Sequence, residues 1–211
     1  MTGDLTLYTN PRSRGRIARW MIEETGAAYD VVALDYGAAM VAPAYRAINP
    51  MMKVPAIVHH GRVVTETAAI CAYLADSFPD AELAPLPEER ADYYRWLFFA
   101  AGPLEAAITN RALGVEPDAE QQRMAGYGDF DRAVAVIDQA VAHMPYIAGD
   151  RFTAADVYLG SQLMWFTQFG LVPRTEAIMA YIARLDRRPA HQRASELDDA
   201  LIAESSPQAV D

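Results

Sequence analysis

The sequence predicts a small α/β domain followed by an all-helical one. Short β-like runs alternate with helical ones only as far as Phe78, a proline-interrupted stretch follows, and every pattern beyond it has helical spacing. The expected boundaries are 1–80 for the α/β domain, 81–87 for the linker and 88–211 for the helical domain. Pro79, Pro85 and Pro87 set the linker, because proline cannot continue a helix and restricts the residue before it to extended backbone.

Leu5 to Tyr8 reads as a strand ended by Asn10-Pro11. Ile17, Trp20 and Met21 form the apolar face of a helix that Gly26 stops. Tyr29 to Leu34 is a second strand, and the helical crossover makes it parallel to the first. An alanine-rich segment from Ala38 to Ile48 leads to Asn49-Pro50. Ala56–Val58 and Arg62–Thr65 then flank His59, His60 and Gly61 as a hairpin with a glycine turn. Glu66 to Phe78 closes the half as a helix with Ile70, Tyr73, Leu74 and Phe78 on one side. The second half is expected to hold helices over Glu88–Leu113, Ala119–His143, Thr153–Gly170 and Glu176–Leu185, then a weaker one near Ala194–Glu204 and a frayed end over Ser205–Asp211. Thr153 and Asp156 have capping-box spacing, with Phe152 placed to staple against Val157.

Composition narrows the function. Eighteen Lys+Arg against 28 Asp+Glu give a net charge of −10, which argues against a nucleic acid or polybasic membrane partner. One cysteine, Cys71, excludes an internal disulfide, a C-x-x-C redox pair and a cysteine-rich zinc site, and its place between core positions makes it a buried small hydrophobe. No metal site is expected; His59 and His60, adjacent in a turn, should point apart. Neither a secretory leader nor a membrane span is visible, so the expected setting is the reducing cytoplasm.

Three regions could carry chemistry. Arg12, Arg14, Arg16 and Arg19 crowd the start of the first helix around Ser13, where the helix dipole disfavours cations; an anionic ligand would explain them, and so would an Arg19–Glu23 pair with the rest solvated. Ser13 can cap that helix or donate its hydroxyl to a bound anion. Lys53, the only lysine in the chain, precedes Val54-Pro55 at the mouth of a strand. A cis peptide there would turn the Val54 backbone outward, toward a ligand. Glu66 and Thr67 open a helix, either as ordinary first-turn residues or as a grip on an α-amino-acid end, Thr67 on its carboxylate and Glu66 on its ammonium. The aromatic run Tyr93, Tyr94, Trp96, Phe98 and Phe99 exceeds one helix face, so part of it must meet a core, a pocket or a partner.

The order of Leu5–Tyr8, Ser13, Asn49-Pro50, Lys53-Val54-Pro55, Glu66-Thr67, Tyr73-Leu74 and the Gly149–Asp156 segment resembles the cytosolic glutathione S-transferases, with the serine-type motif of theta- and delta-like bacterial members. The resemblance covers nearly the whole chain. It implies a thioredoxin-like first domain, an all-α second domain, a homodimer, and glutathione as co-substrate with no permanently bound cofactor. It implies conjugation of the glutathione thiolate to a small hydrophobic electrophile; a glutathione-dependent isomerase, a peroxidase or a non-catalytic binding module would fit the same fold. By position Ser13 is the thiol activator, with Tyr8 or no side chain as alternatives. Lys53 would meet the glycine end of glutathione, Val54 its cysteinyl backbone, and Glu66 with Thr67 its γ-glutamyl group. Pro55 would be the structural cis-proline, while Tyr8, Phe99 and Trp165 are candidates for the second-substrate pocket. Thr153 and Asp156 would cap the family's sixth helix.

Overall fold

The computed structural model describes residues 4–205 and divides into two compact units, 4–82 with 187–205 and 83–186. The first contains β1 (Leu5–Thr9), α1 (Gly15–Thr25), β2 (Asp30–Ala33), α2 (Ala38–Val41), α3 (Pro43–Arg46), β3 (Ala56–His59), β4 (Arg62–Val64), α4 (Thr67–Ser77) and α11 (Pro189–Ser205). The sheet order is β2-β1-β3-β4, with β1 parallel to β2 and antiparallel to β3, and β3 antiparallel to β4. This is the thioredoxin-like α/β domain that the sequence led us to expect.

Alternation along β1 decides what covers each face of the sheet. Leu5 and Leu7 are buried on one side, in a core with Ile17, Trp20 and Met21 of α1 and Ile70 and Leu74 of α4. Tyr8 points to the other, where it packs with Leu34, Ile48 and Val54 against Met40, Tyr45 and Ala56. Glycine at position 15 is a steric requirement, since a Cβ there would lie 1.9 Å from Thr9 Oγ1. The β3–β4 turn uses His60 and Gly61 at φ 49° and 75°, the left-handed pair of a two-residue hairpin. That geometry does not send the two histidines apart as expected. Their ring centroids are 4.2 Å apart, because the left-handed His60 folds its imidazole back beside His59.

The second unit is helical: α5 (Arg90–Phe99), α6 (Glu105–Ala112), α7 (Gln121–Met124), α8 (Phe130–His143), α9 (Ala154–Gln168) and α10 (Glu176–Asp186). A π-helical turn over Ala100–Leu104, containing Gly102 and Pro103, joins α5 to α6 within the single helix expected there. The helix expected over Ala119–His143 is broken. Gly128 adopts φ 69° and Asp129 caps a fresh start by accepting from the Arg132 N–H, so α8 begins only at Phe130. In α5, Tyr93 and Trp96 are buried while Tyr94 and Phe98 are exposed. No helix among the described residues is long and apolar enough to cross a membrane.

Asp156 organises this unit. Thr153 is the N-cap of α9, and Asp156 Oδ2 accepts from the Thr153 N–H at 2.9 Å. Its Oδ1 accepts from the Ile147 N–H at 2.7 Å and the Tyr181 hydroxyl at 2.8 Å, which ties the preceding loop and α10 to the start of α9. Burial pushes the Asp156 carboxyl up while these donors pull it down. Phe152 stands edge-on to Tyr146.

The end of the chain returns to the first unit. α11 lies against α1, and its buried positions are Ala190, Ala194 and Asp198, two small residues and a carboxylate. The weak apolar pattern of the last helix follows from that face. Of the frayed end expected over Ser205–Asp211, only Ser205 is described, as the last residue of α11; the rest lies outside the described residues.

Candidate active site

Strand register brings the three sequence regions to one end of the sheet. The turn over 10–14 leaves the C-terminal end of β1. Tyr8 pairs with Ala56, so Val54-Pro55 enters β3 beside that turn. Ile57 pairs with Val64, so Thr65, Glu66 and Thr67 leave β4 at the same end.

Asn10 shapes the first loop. Its Oδ1 accepts from the Arg12 N–H at 2.9 Å, an Asx turn, and its Nδ2 donates to the Leu34 carbonyl at 2.8 Å. Ser13 is buried inside this turn; its hydroxyl donates to the Asn10 carbonyl at 2.7 Å and accepts from the Gly15 N–H at 2.9 Å. Arg14 rather than Ser13 holds the N-cap position of α1, although Ser13 Oγ still satisfies the first helical N–H.

The second loop is built around one carbonyl. Lys53 O accepts from the Tyr45 hydroxyl at 2.6 Å and from Asn49 Nδ2 at 2.8 Å, and the Val54–Pro55 peptide that follows is cis. Burial pushes the Tyr45 phenol up to about 12, so it stays a donor across the physiological range. Tyr45 was not among the candidates, since a lone tyrosine in a short alanine-rich segment gives no signal of its carbonyl partner. Tyr8 is half-buried with its ring centroid 5.6 Å from that of Tyr45. Val54 packs against the same cluster.

In the third loop Glu66 has φ 63°, an uncommon backbone for a residue with a side chain. Its carboxylate is exposed, and neither it nor the Lys53 ammonium nor the buried Thr67 hydroxyl has a partner among the described residues. The N–H groups of Thr67, Ala68 and Ala69 open α4, whose first intrahelical bond is Ile70 N–H to Glu66 O at 2.8 Å. This end of the sheet therefore offers an ammonium, a carboxylate, a hydroxyl and free amides around an ordered serine turn. The remaining pocket candidates are in the helical unit: Phe99 is half-buried and edge-on to Trp96 at the end of α5, and Trp165 is half-buried on α9.

Two of the four clustered arginines, Arg16 and Arg19, have a different explanation from a bound anion. Arg19 is buried and its Nε donates to Asp198 Oδ1 at 2.9 Å, with Nη1 on the Tyr29 hydroxyl at 3.2 Å. It does not pair with Glu23, whose carboxylate is taken by Arg193 and the Tyr29 hydroxyl. Arg16 pairs with Asp199, and Arg188 grips Glu24 with two bonds of 2.6 and 2.8 Å. Each helix carries charges opposed to its own dipole, cations early and anions late. Packed antiparallel, each presents the opposite sign to its neighbour, so the arrangement that local rules disfavour becomes favourable in the pair.

Two family models match the chain, the glutathione S-transferase N-terminal domain over residues 3–76 and the glutathione S-transferase C-terminal domain over residues 105–190. The chain is 30% identical over 206 residues to glutathione S-transferase GstA of Escherichia coli O157:H7, covering 95% of this chain and 98% of that protein. It is 31% identical over 135 residues to the maleylacetoacetate isomerase of Pseudomonas aeruginosa, 61% of this chain and 64% of that one. Among solved structures, the theta class glutathione S-transferase of Xanthomonas axonopodis pv. citri with glutathione bound superposes with a TM-score of 0.72 at 30% identity, covering 92% of this chain and 98% of that one. With both domains matched in order and one relative aligned almost end to end, the chain belongs to the glutathione S-transferase family.

Proposed function

We propose that the protein is a cytoplasmic, homodimeric glutathione transferase that adds the glutathione thiolate to a small hydrophobic electrophile and holds no permanent cofactor. The observation that carries the reading is the trio Lys53, Glu66 and Thr67, unpartnered among the described residues, at the same end of the sheet as the Ser13 turn. A pure scaffold has no use for such a set. Glu66 takes the γ-glutamyl ammonium, while Thr67 and the first amides of α4 take its carboxylate. The Val54 backbone pairs with the cysteinyl unit, and Lys53 meets the glycine carboxylate. Exposed Tyr94 and Phe98 on α5 support self-association.

Ser13 is the assigned thiol activator. Its oxygen stays on the Gly15 N–H while its proton turns from the Asn10 carbonyl to the sulfur. A free thiol near pKa 8.5 is only ~3% thiolate at pH 7. A hydrogen bond to the charged form lowers that pKa by about 1–2 units. A two-unit shift raises the thiolate ~25-fold, but intrinsic nucleophilicity falls ~8-fold, leaving a gain of ~3-fold. Most of the acceleration therefore comes from holding the two substrates together. The relative named as an isomerase supports a second reading, isomerisation through the same thiolate.

Calorimetry with glutathione, followed by conjugation, isomerisation and hydroperoxide substrates, tests the proposal. Absence of glutathione binding at millimolar concentration ends it. Ser13→Ala should bind glutathione within a few-fold of the parent while the bound thiol titrates about a unit or more higher. An unchanged titration there with a shifted one in Tyr8→Phe transfers the role to Tyr8.

A further inference from the structure

Arg16 has two partners. Its Nε donates to the Pro11 carbonyl at 2.7 Å, inside the turn that holds Ser13, and its Nη2 pairs with Asp199 on α11. The same turn is closed by Ser13 N–H on Asn10 O at 3.0 Å and Arg16 N–H on Ser13 O at 3.2 Å. Arg16 thus ties a loop carbonyl two residues before the serine to a carboxylate 183 positions after itself in the chain.

We propose that Asp199 is a positioning residue for Ser13, acting through Arg16 and the Pro11 carbonyl to keep the serine turn in one geometry. The proposal rests on the reading of Ser13 as thiol activator. The carboxylate fixes the guanidinium plane, and the plane fixes where Pro11 O can sit. Without it, Arg16 keeps its charge but loses the anchor that aims Nε into the turn. The buried Arg19–Asp198 pair, one turn further along α1, holds the two helices in the register this contact needs. Asp199 touches neither substrate nor Ser13. Its effect is confined to how often the turn is correctly formed.

An ion pair with side chains 26% and 67% exposed changes a local population by only about two- to fivefold. That bound sets the expected result. In the ligand-free protein, Asp199→Ala should leave the melting temperature almost unchanged while the Ser13 and Gly15 amides exchange about two- to fivefold faster. In the glutathione complex the thiol titration should rise by at most about 0.3–0.7 unit, the logarithm of the same factor, a ceiling approached only where the open turn dominates. Asp199→Glu should restore both. Arg193→Gln breaks the contact with Glu23 at the far end of the two helices and should leave the titration alone.

Unchanged amide exchange in Asp199→Ala overturns the proposal, as does faster exchange that Asp199→Glu fails to restore. An equal titration shift in Arg193→Gln also overturns it, because general loosening of α11 would then be the cause. A parent protein that fails to bind glutathione removes the transferase reading and this inference with it, whereas normal binding with unmoved exchange and titration removes only the inference.

Discussion

Arg19 Nε and Asp198 Oδ1 lie 2.9 Å apart, 179 positions apart in the chain, with both side chains buried. Each keeps one orphaned atom, Nη2 on the arginine and Oδ2 on the aspartate, with no hydrogen-bond partner among the described residues. A buried pair left incomplete in this way gains less than its Coulomb attraction suggests, yet removing one member strands the other. Asp198→Ala should therefore cost about 3–5 kcal/mol in urea denaturation. The double change Arg19→Met with Asp198→Leu should recover most of that loss. Equal destabilisation by both would mean that the pair itself contributes strongly.

Gly15 gives a second expectation. The Cβ of an alanine would stand 1.9 Å from Thr9 Oγ1 and 3.0 Å from Ser13 Oγ, so the start of α1 would have to move. Gly15→Ala should destabilise by about 1–3 kcal/mol, the range for overpacking. Adding Thr9→Ala removes the nearest atom and should restore part of it, measured as a double-mutant cycle. A coupling near zero would refute the steric account.

His59 predicts a pH dependence. It is buried, its Nδ1 is 3.0 Å from the Tyr73 hydroxyl, and its ring stacks on Phe78. Burial lowers its pKa from the ordinary imidazole value of 6.5, the neighbouring His60 lowers it further, and Asp4 opposes both. The unfolded chain then binds the proton more readily than the native one. The contribution is complete above pH 6.5 and is lost as pH falls through the lower native value. Urea midpoints should fall between pH 7.5 and 5.5, and His59→Gln should flatten that slope. A variant with the parent's slope would place the titrating group elsewhere.

Glu66 tests the substrate clamp. Glu66→Gln should weaken glutathione binding by roughly 1.5–3 kcal/mol, the scale of a charged hydrogen bond, or about 10–150-fold. The loss should disappear with glutathione acetylated on its γ-glutamyl nitrogen, compared by calorimetry. Equal losses with both ligands would assign Glu66 a role in the first turn of α4 instead.

Elements whose signals are local can be read from the chain alone. Residues at helical spacing around Trp20 and Met21, the glycine stop at Gly26, the hairpin glycine at Gly61 and the Thr153/Asp156 box act within a few residues of themselves. The order of Ser13, Val54-Pro55 and Glu66-Thr67 was legible for the same reason, since each sits in a short loop next to a recognisable strand or helix end. The break before α8 was less so, because the apolar spacing on either side of Gly128 is compatible with one continuous helix. The partners of charge come from the three-dimensional fold. Arg16 and Arg19 read as an anion site because their carboxylates lie on a helix more than 170 residues away, and helical periodicity holds no record of that distance. The fold also decided where the last helix rests. Two alanines and an aspartate make too weak an apolar stripe to announce a buried face; the complementary charges of α1 and the Trp20 ring against His191 are what that face meets in the fold.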